Sequence, residues 1–377
     1  MKIVFNHSYI PKSASIYLED ALYHSGLNAE KYRKKASSLL SNITGTNTLL
    51  THSGTAALEM AALIIDIKPG DEVIMPSFTF TSTANAFALR GATPIFVDIT
   101  KDTLNIDTDL IESAITSRTK AIVPVHYAGA GCNMAKILSL AKKYKLFVIE
   151  DAAQGLGASL NDQHLGSIGH LGILSFGQAK NITSDQGGAL LINDKSLLER
   201  AKIIWQRGTN REQFLNGEVD KYTWQDLGSA FSMSETAAAI LLSQLEKIDD
   251  ITKTRLMYWK TYDSLLKEEL QNLLLTLPAY SSSQQHNGHL YFILTHSQKH
   301  REELISLAKK ADIQTSLHYA PLHLSPAGQK IGRSKNNLPI TLEIHEKMIR
   351  LPLWYGMPID LVTDRMRAAF KKKLTCN

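Results

Sequence analysis

Six short apolar runs, each bounded by polar or glycine-rich stretches, constrain this chain most. They are "DEVIMPSF", "PIFVDI", "AIVPVHYAG", "LFVIED", "GILSF" and "GALLIND", all between residues 71 and 194. Each is too short for a helix and is apolar at consecutive positions, not alternate ones. Strands of that kind have both faces covered, as in a mostly parallel sheet with helices on either side. Helical patterns fall where crossovers are needed. "HSGTAALEMAALIID" has a cap residue at Ser53 and apolar Leu58, Ala61, Ala62 and Ile65 on one face. "STANAFALRG" ends at Gly91, and "AKILSLAKKYK" is amphipathic. Residues 1–50 read as helices with polar breaks. From Ser234 the character changes: "SETAAAILLSQLEKIDDITKTRLMYWKTYDSLLKEEL" reads as one long helix. "HLYFILT" and "IQTSLHY" beyond it read as strands, and "HREELISLAKKA", "EIHEKMIR" and "DLVTDRMRAAFKKK" as helices. With 377 residues the chain exceeds one ordinary core. The expected fold class is α/β: a large domain at 1–245 with a mostly parallel sheet, then a small α+β domain at 246–377.

Composition narrows the function classes. Hydrophobic content of 44% and charged content of 20% suit a globular protein. A net charge of +5 over this length does not suggest a nucleic-acid partner, but it suits a small anionic substrate. Lys371-Lys372-Lys373 reads as a solvated helix end. Cys132 and Cys376 offer neither a disulfide framework nor metal-ligand spacing, which suits a reducing cytoplasm. No apolar leader opens "MKIVFNHSYIPKS", and no run approaches the length of a membrane span, so neither secretion nor a membrane partner is expected.

Open parallel sheets bind ligands beyond the carboxyl ends of their strands. Asp151 closes "LFVIED", His126 closes "AIVPVH", and Ser175 and Lys180 follow "GILS". Lys180 is the only cation between His170 and Lys195. A strand-end carboxylate with a lysine some thirty residues on suits pyridoxal phosphate. That cofactor needs an amine to bind its aldehyde and an acid to keep its ring nitrogen protonated. "SGTA", Ser53 to Ala56, offers a helix start for its phosphate. Spacing alone leaves plainer readings open. Asp151 could be a turn residue, Lys180 a solvated amine, "SGTA" a simple cap and Gly187-Gly188 a turn.

The residues taken together are more specific. "HSGTAALEMAALIIDIKPGDEVIMPSFTFTSTANAFALRGATPIFVDI", "IVPVHYAG", "VIEDAAQG", "SF…KN" and "LPL" resemble, in order, the nucleotide-sugar aminotransferases of the DegT type. Those are fold-type I enzymes dependent on pyridoxal 5'-phosphate. "GTNREQF", "VDKYTW" and "HYAPLH" resemble the subgroup that makes dTDP-4-amino-4,6-dideoxygalactose. The resemblance implies that Lys180 forms the Schiff base and Asp151 partners the pyridine nitrogen. It further implies that Gln154 lies on the phenolic-oxygen side and that Phe80 stacks on the ring face, although Phe80 also reads as a core residue. Ser175 would hold the phosphate with the backbone of Gly54, Thr55 and Ala56. His318 and Tyr319 match positions near the nucleotide sugar, and Arg211 and Lys221 are candidates for its diphosphate. The implied partners are L-glutamate, a dTDP-linked keto sugar and a second copy of the chain, in a cytoplasmic homodimer with shared sites and no metal. The product serves a surface polysaccharide or lipopolysaccharide. The resemblance leaves the epimer, and amination at C3 or C4, open.

The chain also departs from its relatives. Ala230 and Ser232 stand in "GSAFSM" where many carry Asn and Arg in "GYNYRM". Only Ser229 offers a weak substitute for the contact to the neighbouring subunit's phosphate. Gly177 stands where relatives often have His, and "SGLNAEKYRKK" lacks their glycine-rich loop. A sugar dehydratase of the same fold would have His in place of Lys180. A non-catalytic sensor does not need the full set of lysine, aspartate and phosphate ligands. A nucleotide-binding dehydrogenase would show G-x-G-x-x-G opening an early helix, which is missing here.

Overall fold

A computed structural model describes residues 1–23, 30–269, 280 and 283–374. Cys376 and the Ser25–Ala29 part of the N-terminal segment lie outside these residues, as do the side chains of Lys371, Lys372 and Lys373. The six apolar runs form adjoining strands of one eight-stranded sheet. Its order is Asn47–Thr51, Gly188–Ile192, Leu171–Ser175, Phe147–Asp151, Thr119–Ile122, Glu72–Pro76, Thr93–Val97 and Arg333–Ser334. The last six are mutually parallel, and Gly188–Ile192 runs antiparallel to both its neighbours. Val73, Ile74, Ile122, Val148, Ile173 and Leu190 are fully buried, because helices cover both faces.

The Ser53 cap stands as expected. Its hydroxyl accepts from the Ala56 amide at 3.0 Å, and the helix runs Gly54–Ile64. Four readings differ from the structure. Residues 1–50 contain a strand, Asn47–Thr51, besides the helices Ser13–Tyr23 and Lys31–Thr44. Its pairing with Gly188–Ile192 is a long-range contact that local pattern does not show. The long pattern from Ser234 is two helices, Glu235–Leu245 and Ile248–Glu269. The chain tightens at Lys247, whose amide bonds Gln244, with neither Gly nor Pro to signal it. "IQTSLHY" forms only isolated bridges, Ile313 to Ile3 and Ser316 to Arg350, and Tyr319 has a positive φ of 22°. "EIHEKMIR" is helical only to Lys347, since Met348–Leu351 pairs with Tyr291–Leu294.

A C-terminal core gathers Tyr262, Tyr291, Ile293, Leu304, Ile349 and Phe370 around Ile3 of the N-terminal segment. A mixed cluster joins it to the sheet, packing Phe78, Ile99 and Tyr127 against Leu290, Phe292 and Met348. The carboxyl edge of the sheet therefore faces the C-terminal layer, with a cavity of about 580 Å³ between them.

Candidate active site

At one end of the cavity the helix Gly54–Ile64 begins beside Ser175, the last residue of its strand. The approach needs glycine: a Cβ on Gly54 would stand 2.9 Å from Ser175 Cβ. The Ala56 amide is occupied by the Ser53 cap, and Ala56 does not line the cavity. The Gly54 and Thr55 amides have no carbonyl partner among the described residues. Thr55 Oγ1 lies 2.7 Å from Ser82 Oγ. Two free amides at a helix start beside a serine hydroxyl form an anion cradle.

Asp151 ends its strand pointing into the cavity and is almost wholly buried. Its Oδ2 accepts from Thr83 Oγ1 at 2.7 Å, and its Oδ1 accepts from the Ala153 amide at 3.2 Å. Lys180 lies on the loop that returns from the Leu171–Ser175 strand. The loop is held by Lys180 N to Gly177 O at 2.9 Å and Ser184 N to Phe176 O at 3.0 Å. Asn6 and Ser8 of the N-terminal segment donate to the Gln178 carbonyl. Lys180 opens onto the cavity but sits deep in protein. Burial lowers its amine to about 8; Asp151 opposes this shift and Arg350 adds to it. An amine so placed is about one-tenth neutral at pH 7, far more than an ordinary lysine, and can act as a nucleophile.

Gln154 is clamped: its Oε1 accepts from the Ala128 amide at 2.7 Å, and its Nε2 donates to Tyr319 OH at 2.9 Å. Tyr319 stacks on His318 at 3.6 Å between ring centroids, and His318 Nδ1 meets Tyr127 OH at 2.7 Å. Burial holds His318 well below the usual imidazole value, with Arg350 and Lys180 adding to it, and burial raises the Tyr319 phenol. Phe80 is 57% exposed and lines the cavity, which overturns its reading as a core residue; the core phenylalanine here is Phe78.

Lys180, Asp151, Gly54, Thr55, Phe80, Gln154, Ser175, His318 and Tyr319 thus share one cavity. Arg211 and Lys221 do not line it. Arg211 borders a separate surface hollow with Arg33, Arg207 and Ser232, and Lys221 lies in an exposed stretch. His126 is fully buried on the opposite side of its backbone, bonded to Glu150 at 2.8 Å. Sequence reading missed Thr83, Arg255, His289 and Arg350. Arg255 is buried, and it donates to the Gly288 and His289 carbonyls at 3.0 and 2.6 Å. Arg350 donates to the Leu317 carbonyl at 2.7 Å. No ion pair joins either arginine to a carboxylate among the described residues, so the cavity carries positive charge toward the C-terminal layer.

A half-buried cavity amine lowered to about 8, a buried carboxylate and an anion cradle at the carboxyl edge of this sheet define the class: a fold-type I aminotransferase dependent on pyridoxal phosphate. The chain belongs to the DegT/DnrJ/EryC1/StrS aminotransferase family, whose profile it matches over residues 14–367. It is 32% identical over 359 residues to SpsC, a spore coat polysaccharide biosynthesis protein of Bacillus subtilis, covering 93% of this chain and 91% of that one. Its fold matches Spr1654 of Streptococcus pneumoniae, described as a sugar aminotransferase, with a TM-score of 0.90 at 27% identity over 100% of this chain and 99% of that one. Spr1654 is also known in forms carrying PLP and PMP. PseC of Helicobacter pylori, an aminotransferase in pseudoaminic acid biosynthesis, matches with a TM-score of 0.86 at 25% identity over 99% of this chain and 100% of that one. Among the described residues, no helix is long and apolar enough to cross a membrane.

Proposed function

We propose that the enzyme moves the amino group of L-glutamate to C4 of dTDP-4-keto-6-deoxy-D-glucose. The products are 2-oxoglutarate and dTDP-4-amino-4,6-dideoxy-D-galactose. One observation carries the transaminase chemistry: Lys180, with its amine lowered to about 8, shares a cavity with Asp151 and the Gly54–Ser175 cradle. The relatives' descriptions support a sugar acceptor. The nucleotide and the sugar's identity rest on the likeness of "GTNREQF", "VDKYTW" and "HYAPLH" to the galactose-forming subgroup.

In this reading the Gly54 and Thr55 amides and Ser175 Oγ hold the cofactor phosphate. Asp151 keeps the ring nitrogen protonated, Phe80 covers one ring face, and Gln154 lies on the phenolic-oxygen side. Bound pyridoxal phosphate supplies an electron sink for the charge left when a proton departs from carbon. Lys180 Nζ takes the proton from the α-carbon of glutamate, and in the second half-reaction delivers a proton to C4 of the sugar. His318 and Tyr319 line the sugar's side of the cavity. Arg211 and Lys221 reach a diphosphate only from a partner subunit, so a homodimer with shared sites is part of the proposal. Residues 1–245 carry the cofactor, and residues 246–377 close the cavity. We place the enzyme in the cytoplasm, where the buried free thiol of Cys132 is at home.

The test is incubation with L-glutamate and dTDP-4-keto-6-deoxy-D-glucose, following 2-oxoglutarate and reading the new C4 centre by NMR. Stoichiometric 2-oxoglutarate and an axial amine are expected, both lost in Lys180→Ala. An equatorial amine would reassign the epimer, amination at C3 would reassign the acceptor, and no product with this sugar would overturn the substrate.

A further inference from the structure

Asn181, next to the cavity lysine, turns its side chain to the 287–289 turn of the C-terminal layer. Its Nδ2 lies 3.0 Å from the Asn287 carbonyl oxygen, and its Oδ1 lies 3.0 Å from His289 Nδ1. A backbone carbonyl can only accept, so the amide nitrogen must face Asn287 and the amide oxygen must face His289. An amide oxygen can also only accept, so His289 Nδ1 carries the proton and Nε2 carries the lone pair. The backbone of His289 is pinned as well. Its amide donates to Asn287 Oδ1 at 3.0 Å, and its carbonyl accepts from Arg255 Nη2 at 2.6 Å. The ring lines the cavity beside Lys180. Burial keeps it neutral, well below the usual imidazole value, and Lys180 and Arg255 act in the same direction. Among the described residues Nε2 has no hydrogen-bond partner.

A fixed lone pair in a cavity bordered by Lys180, Arg255 and Arg350 selects for a donor. A ligand that fills the cavity strips water from Nε2, and the loss is offset only if the ligand brings an O–H or N–H to it. A carboxylate brings none, and the two arginines are the better hosts for it. We propose that His289 Nε2 accepts a hydrogen bond from a ring hydroxyl of the bound keto sugar, which makes His289 a specificity-determining residue of the sugar half-reaction. This rests on the sugar-aminotransferase reading above.

His289→Asn keeps a donor near the Nδ1 position and removes the acceptor. His289→Gln places an amide near Nε2. The two half-reactions are measured separately on holoenzyme, with L-glutamate alone and then with dTDP-4-keto-6-deoxy-D-glucose on the pyridoxamine form. For His289→Asn the sugar KM rises about tenfold, as for one lost hydrogen bond. The glutamate half-reaction stays within about twofold, and His289→Gln recovers most of the loss. Calorimetry with dTDP-D-glucose against dTDP gives a readout independent of turnover: the sugar's increment in affinity shrinks in His289→Asn. Equal slowing of both half-reactions would make His289 a prop for the lysine loop and overturn the inference. An unchanged sugar KM, or an unchanged calorimetric increment, would overturn it too. Failure of the wild type to aminate the keto sugar overturns the substrate reading instead, and the calorimetric comparison still decides the role of His289.

Discussion

Gly188 lies backbone to backbone against Gly54: a methyl on Gly188 would stand 2.4 Å from the Gly54 nitrogen. The Ser53 carbonyl oxygen would be 2.5 Å away. Neither obstacle is the flexible end of a side chain, so the strand or the helix start must move. Gly188→Ala is therefore expected to destabilise the fold by about 1–3 kcal/mol, the usual cost of overpacking. It should also weaken pyridoxal phosphate binding, because the amides of the cradle shift with the helix start. Gly177→Ala is the control, since its methyl would meet only Ser175 Oγ, at 3.9 Å. Denaturant unfolding and cofactor titration check both, and a Gly188→Ala protein with wild-type values in each would show that the contact yields without cost.

The lowered amine of Lys180 predicts a pH profile. An ordinary lysine near 10.4 gains neutral amine tenfold per pH unit throughout the neutral range. Lys180, at about 8, stops gaining once the pH passes that value. The rate at which cofactor-free protein takes up pyridoxal phosphate covalently should rise from pH 6 to about 8 and then level. Stopped-flow absorbance measures it. The same depression sets the sign for stability. Between about 8 and 10.4 the unfolded chain binds more protons at this residue than the folded one, so its contribution to cofactor-free stability rises with pH across that window. Lys180→Met should flatten that part of the profile; a rate still climbing at pH 10 in the wild type would contradict the burial argument.

The sequence displayed the sheet well because its strands are buried on both faces, which leaves consecutive apolar residues at Val73–Met75 and Ala189–Ile192. Asp151, Ser175 and Lys180 were legible for the same reason, as polar residues at the ends of such runs. Asn47–Thr51 was hidden, since a strand that pairs across some 140 residues has no local signature. Arg255 and Arg350 were hidden too. Each stands near another cation, Lys253 before Arg255 and Lys347 before Arg350, in a helical or mixed segment where a solvated face is the ordinary reading. The hydrogen bonds of Arg255 to the Gly288 and His289 carbonyls and of Arg350 to the Leu317 carbonyl are long-range contacts with no local signature. His126 misled in the opposite direction. It stands at a strand end, but side chains alternate along extended backbone, and its ring points to Glu150.

Phe80 is the residue whose exposure decides its role. At 57% exposed, between a strand end and the helix Thr81–Ala88, it contributes little to the core. Phe80→Ala is expected to change unfolding free energy by no more than about 0.5 kcal/mol, as for an exposed site. Stacking of one aromatic ring adds about 0.5–1.5 kcal/mol. Loss of a cofactor-facing ring should therefore raise the dissociation constant for pyridoxal phosphate by up to about tenfold. A large loss of stability with unchanged cofactor affinity would return Phe80 to a packing role.

Asp151 reaches its position through Thr83, and the pair gives a graded test. Thr83 Oγ1 donates to Asp151 Oδ2 at 2.7 Å and itself contacts Thr79 Oγ1 at 2.8 Å, all of it buried. Asp151→Asn keeps the shape but removes the negative charge that holds a protonated ring nitrogen. The glutamate half-reaction should slow by about 10²–10⁴, the range for loss of a charge-stabilising or proton-holding group. Thr83→Val keeps the charge and removes one hydrogen bond to it. The carboxylate is then free to turn, so a smaller loss of about tenfold is expected, with stability lowered by about 1–2 kcal/mol for the unsatisfied buried oxygen. Thr83→Ser restores the hydroxyl and should restore the rate. The ordering Asp151→Asn slowest, Thr83→Val intermediate and Thr83→Ser near wild type is what single-turnover measurement with L-glutamate checks. Circular dichroism on each variant separates a rate effect from a folding one. If Asp151→Asn kept a near-normal rate, another group would have to hold the ring proton, and no other acid lines this cavity among the described residues.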